Sequence, residues 1–283
     1  MGLDQGWFTE IIENSGIAFS LKSTRKLHDE QSAYQRIEVF ETEQFGNLMV
    51  IDGCIMLTQR DNFLYHEMLV HPAMYTHVNP KNVLIIGGGD CGTLAEVLKH
   101  DSVTTATQVE IDERVTRVAE RFFPDLCRSN GDPRARLVFA DGIKWMEDSE
   151  PETYDVIIVD STDPVGPAEG LFHRPFYQDC FRSLRTGGIF VQQSESPLLH
   201  LPLIRSMRRE LRDAGFGKVL TLTFPQCVYP SGWWSATLAG KGNPLSNIRE
   251  TEIVERPFAT RYYNLATHHA ATAQPEFFRG ELG

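Results

Sequence analysis

The strongest constraint on this chain is one short stretch, NVLIIGGGDCG at residues 82–92. A continuous apolar run leads directly into GxGxxG, with Gly87, Gly89 and Gly92 at the fixed positions. That pattern predicts a buried strand turning tightly into a helix, because glycine lets the backbone bend and approach a ligand closely. Glu110 closes the next expected strand, about 20 residues on, where a carboxylate can receive both hydroxyls of a ribose. Alone, the glycine pattern is equally well a structural turn; with Glu110 it marks a nucleoside site.

The rest of the chain supplies the fold around that site. Strands are expected over 105–111, 136–140, 154–160, 188–193, 218–224 and 233–239, with helices over 93–100, 113–123 and 201–214. YDVIIVD at 154–160 is apolar without alternation, as in a strand covered on both faces. Such alternation of strands and helices predicts a doubly wound α/β sheet. Residues 7–60 read differently. Runs at 18–21, 35–42 and 47–57 alternate apolar and polar residues between turns such as Asp52-Gly53, predicting a small antiparallel sheet. A helix is expected over 61–78, capped by Asp61 or Asn62 and kinked or broken at Pro72. The division is an N-terminal β domain at 1–60 and an α/β domain at 61–283.

Composition narrows the function. A formal net charge of -11 argues against nucleic acid, whose phosphates need basic surface. It fits a cationic ligand and plain solubility equally. No apolar run approaches the roughly 20 residues of a membrane span. The first residues carry no signal-peptide pattern, and Gly6 stands where myristoylation wants Ser or Thr. The five cysteines are scattered without CxxC spacing, as expected of reduced thiols in a cytoplasm.

The acids near the glycine loop bear on the ligand. NAD and S-adenosylmethionine folds share the loop, but Asp90 within it would oppose a pyrophosphate and suit the amine of a sulfonium ligand. Asp141-Gly142 follows the third strand, placed either to receive an adenine amino group or to cap a helix. Asp160 and Asp163, in DSTDP, stand at the carboxyl end of the fourth strand, where open sheets bind ligands. With Asp90 they would form a negative pocket for an amine and raise the pKa of at least one acid. The plainer alternative is that Asp163 caps a turn before Pro164. No histidine or cysteine completes a metal set there. His66-Glu67 with His71 is HExxxH, so the two imidazoles would not share a helix face as in HExxH. His268 and His269 are expected in solvent, and no GxSxG elbow is present.

These residues together identify a resemblance. The chain resembles the spermidine synthases over nearly its whole length, in GNLMVIDG (46–53), TQRDNFLYHE (58–67), VLIIGGGDCG (83–92), VEID (109–112), DVIIVDSTDPVGPAEGL (155–171) and YPSG (229–232). The resemblance implies a methyltransferase-like Rossmann domain behind a small β domain that takes part in a homodimer or homotetramer and in the substrate channel. It implies that Gln35, Glu110 and Asp141-Gly142 hold the nucleoside of decarboxylated S-adenosylmethionine, with Pro167 lining it. Asp90 and His66 would contact the aminopropyl or diamine side. Asp160 would be the proton acceptor, and Tyr65, Asp163 and Tyr229 would position the amine. Trp7 would line the diamine channel or serve the core. Two positions depart from the family: Cys91 where GGGDGG has glycine, and Ala95 where an arginine is usual.

The implied activity is transfer of an aminopropyl group to putrescine, giving spermidine and 5'-methylthioadenosine, with no metal or resident cofactor. A neutral amine would attack the carbon beside the sulfonium, and the enzyme's task would be mostly positioning. Asp160 and the Tyr65 hydroxyl would orient the lone pair, and Asp160 would take a proton as the bond forms. The alternatives are another amine acceptor, a putrescine N-methyltransferase using ordinary S-adenosylmethionine, a non-catalytic nucleoside-binding homologue and, last, a nicotinamide dehydrogenase.

Overall fold

The computed structural model describes residues 6–164 and 166–281. Its first part is a five-stranded antiparallel sheet in the order β1 (Trp7–Ile12), β2 (Ile17–Gln31), β3 (Arg36–Thr42), β4 (Gly46–Ile51) and β5 (Cys54–Thr58). Each strand pairs with its sequence neighbour, as short turns dictate.

Then comes helix α1 (Asn62–Thr76). Pro72 lies inside it, so of the two expected outcomes, a kink or a break, the break does not occur. Every residue from Leu64 to Thr76 is buried. A helix packed on all sides gains more from burial than the roughly 3 kcal/mol that an interior proline costs.

The second sheet has seven strands: β6 (Asn82–Gly87), β7 (Thr105–Glu110), β8 (Ala135–Phe139), β9 (Tyr154–Asp160), β10 (Leu184–Gln193), β11 (Lys218–Pro225) and β12 (Trp233–Gly240). Their spatial order is β11-β12-β10-β9-β6-β7-β8. β12 alone runs antiparallel to its neighbours β10 and β11. The doubly wound expectation therefore holds, with one reversed strand near an edge.

Burial follows the period of the strands. On one face Val83, Ile85, Val156 and Ile158 pack against Met68, Leu69 and Ala73 of α1 and Val97 of α2 (Gly92–Leu98). On the other, Leu84, Ile157 and Phe190 meet Met146 of α4 (Gly142–Glu147), Phe176 and Tyr177 of α5 (Arg174–Ser183), and Met207 of α6 (Leu201–Asp213). Helix α3 (Glu113–Phe122) joins the two sheets. Its Val115 and Val118 pack on Ile37, Val39, Met49 and Ile51, which pair across β3 and β4. That contact sets the N-terminal sheet over the end of β7.

Helix α5 was not expected from sequence, nor were α7 (Glu250–Glu255), α8 (Leu265–Thr272) and α9 (Glu276–Glu281), and α4 was foreseen only in the alternative that Asp141 caps a helix. All are short, so their apolar periods cover few turns. α8 also corrects the reading of His268, which is buried and hydrogen-bonded to Tyr263 Oη at 2.7 Å. His269 is exposed, as expected, and faces Glu250. No helix among the described residues is long and apolar enough to cross a membrane.

Candidate active site

The site opens at the carboxyl ends of β6, β7 and β9. β6 and β9 lie side by side there, while their chains continue to opposite sides of the sheet. Ligands bind open α/β sheets at such a switch point.

The glycine loop shapes the first cavity. Gly87 has φ +82°, and a Cβ on it would lie 2.2 Å from the carbonyl oxygen of Asp160. A Cβ on Gly89 would lie 2.9 Å from Glu110 Oε2, so glycine there leaves room for that carboxylate. Gly88 N–H donates to the same Asp160 carbonyl at 2.8 Å, tying the loop to the end of β9. Cys91 takes φ 67° at the start of α2. That left-handed conformation costs a residue with a side chain roughly 1–2 kcal/mol. Its side chain is fully buried, with Gln108 Nε2 at 3.8 Å from Sγ.

This cavity encloses about 1000 Å³, its open mouth included. Gln35, Gly87, Gly89, Asp90, Glu110, Asp141 and Gly142 all line it. Of Pro167 only the backbone is described, in a 3-10 turn (Gly166–Phe172); its side chain lies outside the described residues. Gln35 reaches the cleft from the N-terminal sheet, with Nε2 donating to Asp112 Oδ2 at 3.1 Å. Asp141 also caps α4: its Oδ1 accepts from Ile143 N–H at 2.8 Å and Lys144 N–H at 3.3 Å. Burial pushes the Glu110 carboxyl up to about 7, against the hydrogen bond from Asp112 N–H.

A compact charged cluster lies beside it. His66 Nε2 is 3.2 Å from Asp90 Oδ2, and Gly92 N–H donates to Asp90 Oδ1 at 2.6 Å. Burial pulls the His66 pKa down, but the Asp90 charge and hydrogen bond win and lift it to about 9. Burial likewise raises the Asp90 carboxyl, yet the His66 charge and these hydrogen bonds hold it below the usual carboxylate value. The pair is therefore ionised at neutral pH. His71 points elsewhere, with Nδ1 at 3.0 Å from His100 and Nε2 at 3.0 Å from Glu96, so the two imidazoles of HExxxH do not converge.

Asp160 sits against this pair. Tyr65 Oη donates to its Oδ1 at 2.7 Å, and Thr93 Oγ1 to its Oδ2 at 2.6 Å. Burial and the nearby Asp90 charge raise the Asp160 carboxyl, while His66 and the two hydroxyls oppose them. An acid poised upward in this way is a competent proton acceptor.

A second cavity of about 550 Å³ adjoins the first. Met56, Tyr65, Ser161, Thr162 and Tyr229 line both. Tyr65 and Tyr229 meet edge to face at 5.8 Å between ring centres, and the Tyr229 hydroxyl donates to Met56 O at 2.6 Å. Tyr229 thus forms a wall whose hydroxyl proton is already committed. Asp163 faces this second cavity, apart from Asp160, in company with Glu10 and Glu195. Burial, then the Asp163 charge and a hydrogen bond shared with it, push the Glu195 carboxyl well above its usual value. Burial lifts Glu10 to about 7, against its hydrogen bond from Ile55 N–H. A cavity walled by three carboxyl groups, those of Glu10, Asp163 and Glu195, suits an ammonium group. Trp7 lines neither cavity.

Sequence reasoning missed Glu10, Thr93 and Glu195. Glu195 follows the end of β10, so the strand-end rule that marked Asp160 could have found it. Glu10 carries no such signal, being one acid on an edge strand far away in sequence.

Known proteins share this chain's sequence and fold over nearly its whole length. The profile of the spermine/spermidine synthase domain matches residues 62–249, and that of the spermidine synthase tetramerisation domain matches residues 6–59. A polyamine aminopropyltransferase of Thioalkalivibrio sulfidiphilus is 62% identical over 283 residues, covering 100% of this chain and 99% of the relative. That of Methylococcus capsulatus is 62% identical over 278 residues, covering 98% and 97%. Among solved structures, a spermidine synthase in complex with the transition state analogue AdoDATO superposes with a TM-score of 0.95 at 36% identity, covering 100% of this chain and 97% of that one. The spermidine synthase of Thermotoga maritima gives 0.93 at 37%, covering 98% and 94%.

Proposed function

The chain belongs to the spermine/spermidine synthase family and is an aminopropyltransferase, and from that premise we propose that it carries the aminopropyl group of decarboxylated S-adenosylmethionine to putrescine. The products are spermidine and 5'-methylthioadenosine. The observation that carries this reading is Asp160 in the cavity lined by Glu110, held by Tyr65, which lines both that cavity and the one walled by acids.

The donor occupies the first cavity. Glu110 receives the ribose hydroxyls, Asp141 the adenine amino group, and Gln35 closes over the nucleoside, with Gly87, Gly89 and Gly142 allowing close approach. By the family resemblance Pro167 would line the nucleoside too. Asp90, partnered by His66, meets the amine of the aminopropyl chain. The diamine occupies the second cavity, one end near Asp163 and the other at Asp160 and Tyr65, with Tyr229 as the wall between.

An alkyl amine has a pKa of about 10 and is mostly protonated at pH 7. The reacting nitrogen must be neutral, so that end of the diamine first gives up its extra proton to solvent, while the acids of the second cavity hold the far ammonium. Its attack on the carbon bonded to sulfur breaks the C–S bond, and the pair returns to sulfur as a neutral thioether. The new C–N bond makes the nitrogen acidic, and its proton passes to Asp160. A sulfonium leaves without metal assistance, so positioning supplies most of the rate.

We also propose that the N-terminal sheet, whose matched profile is a tetramerisation domain, assembles the chain into a homodimer or homotetramer, and that the enzyme works in the cytoplasm. The test of the acceptor is turnover with putrescine, cadaverine and spermidine in parallel. Fastest turnover of putrescine supports this reading; faster turnover of another amine removes putrescine from it and leaves the aminopropyl transfer.

A further inference from the structure

The second oxygen of Asp160 has a partner of its own. Thr93 stands in the first turn of α2, directly after the glycine loop, and its side chain is fully buried. Its Oγ1 donates to Asp160 Oδ2 at 2.6 Å, while Tyr65 holds Oδ1 at 2.7 Å. A Cβ on Gly88 would lie 3.1 Å from Oδ2, so the loop backbone closes over that oxygen as well. Oδ2 therefore faces protein, and Oδ1 lies beside Tyr65, which lines both cavities.

We propose that Thr93 is a positioning residue for aminopropyl transfer: its hydroxyl pins Oδ2, fixes the plane of the Asp160 carboxylate and keeps it ionised, so that Oδ1 receives the proton of the attacking amine. This rests on the reading of Asp160 as proton acceptor. The proton moves from the amine nitrogen to Oδ1 and does not pass through Thr93. Protonation at Oδ1 leaves Oδ2 an acceptor, so the Thr93 hydrogen bond survives the step.

The surroundings give the hydroxyl its importance. Asp160 faces Tyr65 and His66 from α1, Asp90 from the loop, Glu110 from β7 and Tyr229 from beyond β11. Burial and Asp90 favour the protonated acid, which cannot accept a proton; the donated hydrogen bonds and the His66 charge favour the carboxylate. Valine has the shape of threonine without the donor, and leaves Oδ2 buried and unpaired.

The experiment compares Thr93→Val, Thr93→Ser and Asp160→Asn by kcat and KM across pH, with decarboxylated S-adenosylmethionine and putrescine, alongside melting temperature. Thr93→Ala removes the hydroxyl without bulk and gives the same readout should the valine variant fold poorly. Loss of the hydroxyl is expected to lower kcat at pH 7 by about tenfold and to move the acid limb of the profile up by about one pH unit. The putrescine KM should change by less than about twofold, and serine should restore the wild-type profile. An unmoved acid limb and kcat in Thr93→Val, with Asp160→Asn inactive, overturns the inference alone. So does a serine variant as impaired as the valine one. Retained turnover in Asp160→Asn overturns the proton-acceptor reading, and the inference with it.

Discussion

His66 Nε2 and Asp90 Oδ2 lie 3.2 Å apart, joining the helix that carries Tyr65 to the loop that shapes the donor cavity. The His66 pKa rises from 6.5 to about 9 in the fold, once the Asp90 charge has overcome burial. A raised histidine contributes stability that is complete below pH 6.5 and lost as pH climbs through 9. The wild type should therefore lose up to about 3 kcal/mol over that window, with the pair counted once. His66→Gln should be less stable at pH 6 and lack this slope. Thermal melts between pH 6 and 10 measure both.

Glu110 makes nucleoside binding pH-dependent. Burial lifts its carboxyl to about 7 in the free protein, and only the carboxylate accepts two ribose hydroxyls. Affinity for 5'-methylthioadenosine should rise with pH up to about 7 and level off above it. Glu110→Gln should weaken binding by about tenfold or more and flatten that dependence. Titration calorimetry across pH 5.5 to 8.5 reads both effects.

Glu195 should show opposite effects on stability and on substrate use. Its carboxyl is pushed well above 4.5, by burial and then by Asp163. A folded-state pKa raised in this way costs stability as pH rises past the unfolded value. Glu195→Gln should thus stabilise the free protein at pH 7. The same change removes an acid that can ionise beside a bound ammonium and should raise the putrescine KM by about tenfold. Melts and steady-state kinetics on one preparation decide it.

Cys91 departs from the family loop, and its φ of 67° is one that glycine adopts without strain. Cys91→Gly relieves that strain and loses a small buried side chain, two effects of similar size. Stability should move by less than about 1 kcal/mol, and kcat by less than about twofold. A larger loss of kcat would show that the thiol itself supports the loop.

Much of this site was legible because it follows strand ends. Gly87, Asp90, Glu110, Asp141 and Asp160 all lie where a parallel strand finishes, and the sequence marks those points by apolar runs that stop. Side-chain direction was not legible. Asp160 and Asp163 are three residues apart, yet they line different cavities, while Ser161 and Thr162 between them line both. Thr93 reads in sequence only as an early helix residue; its contact with Asp160 is a relation between two strand-end loops. His268 misled, and Pro72 does not break its helix, because polarity and local propensity both yield to dense packing.

The most direct measurement is product analysis after incubation with putrescine and either decarboxylated or ordinary S-adenosylmethionine. Spermidine and 5'-methylthioadenosine should form in equal amounts from the decarboxylated donor, and Asp160→Asn should lower kcat by about a hundredfold or more. Methylated putrescine formed from the ordinary donor, or full turnover by Asp160→Asn, would contradict it.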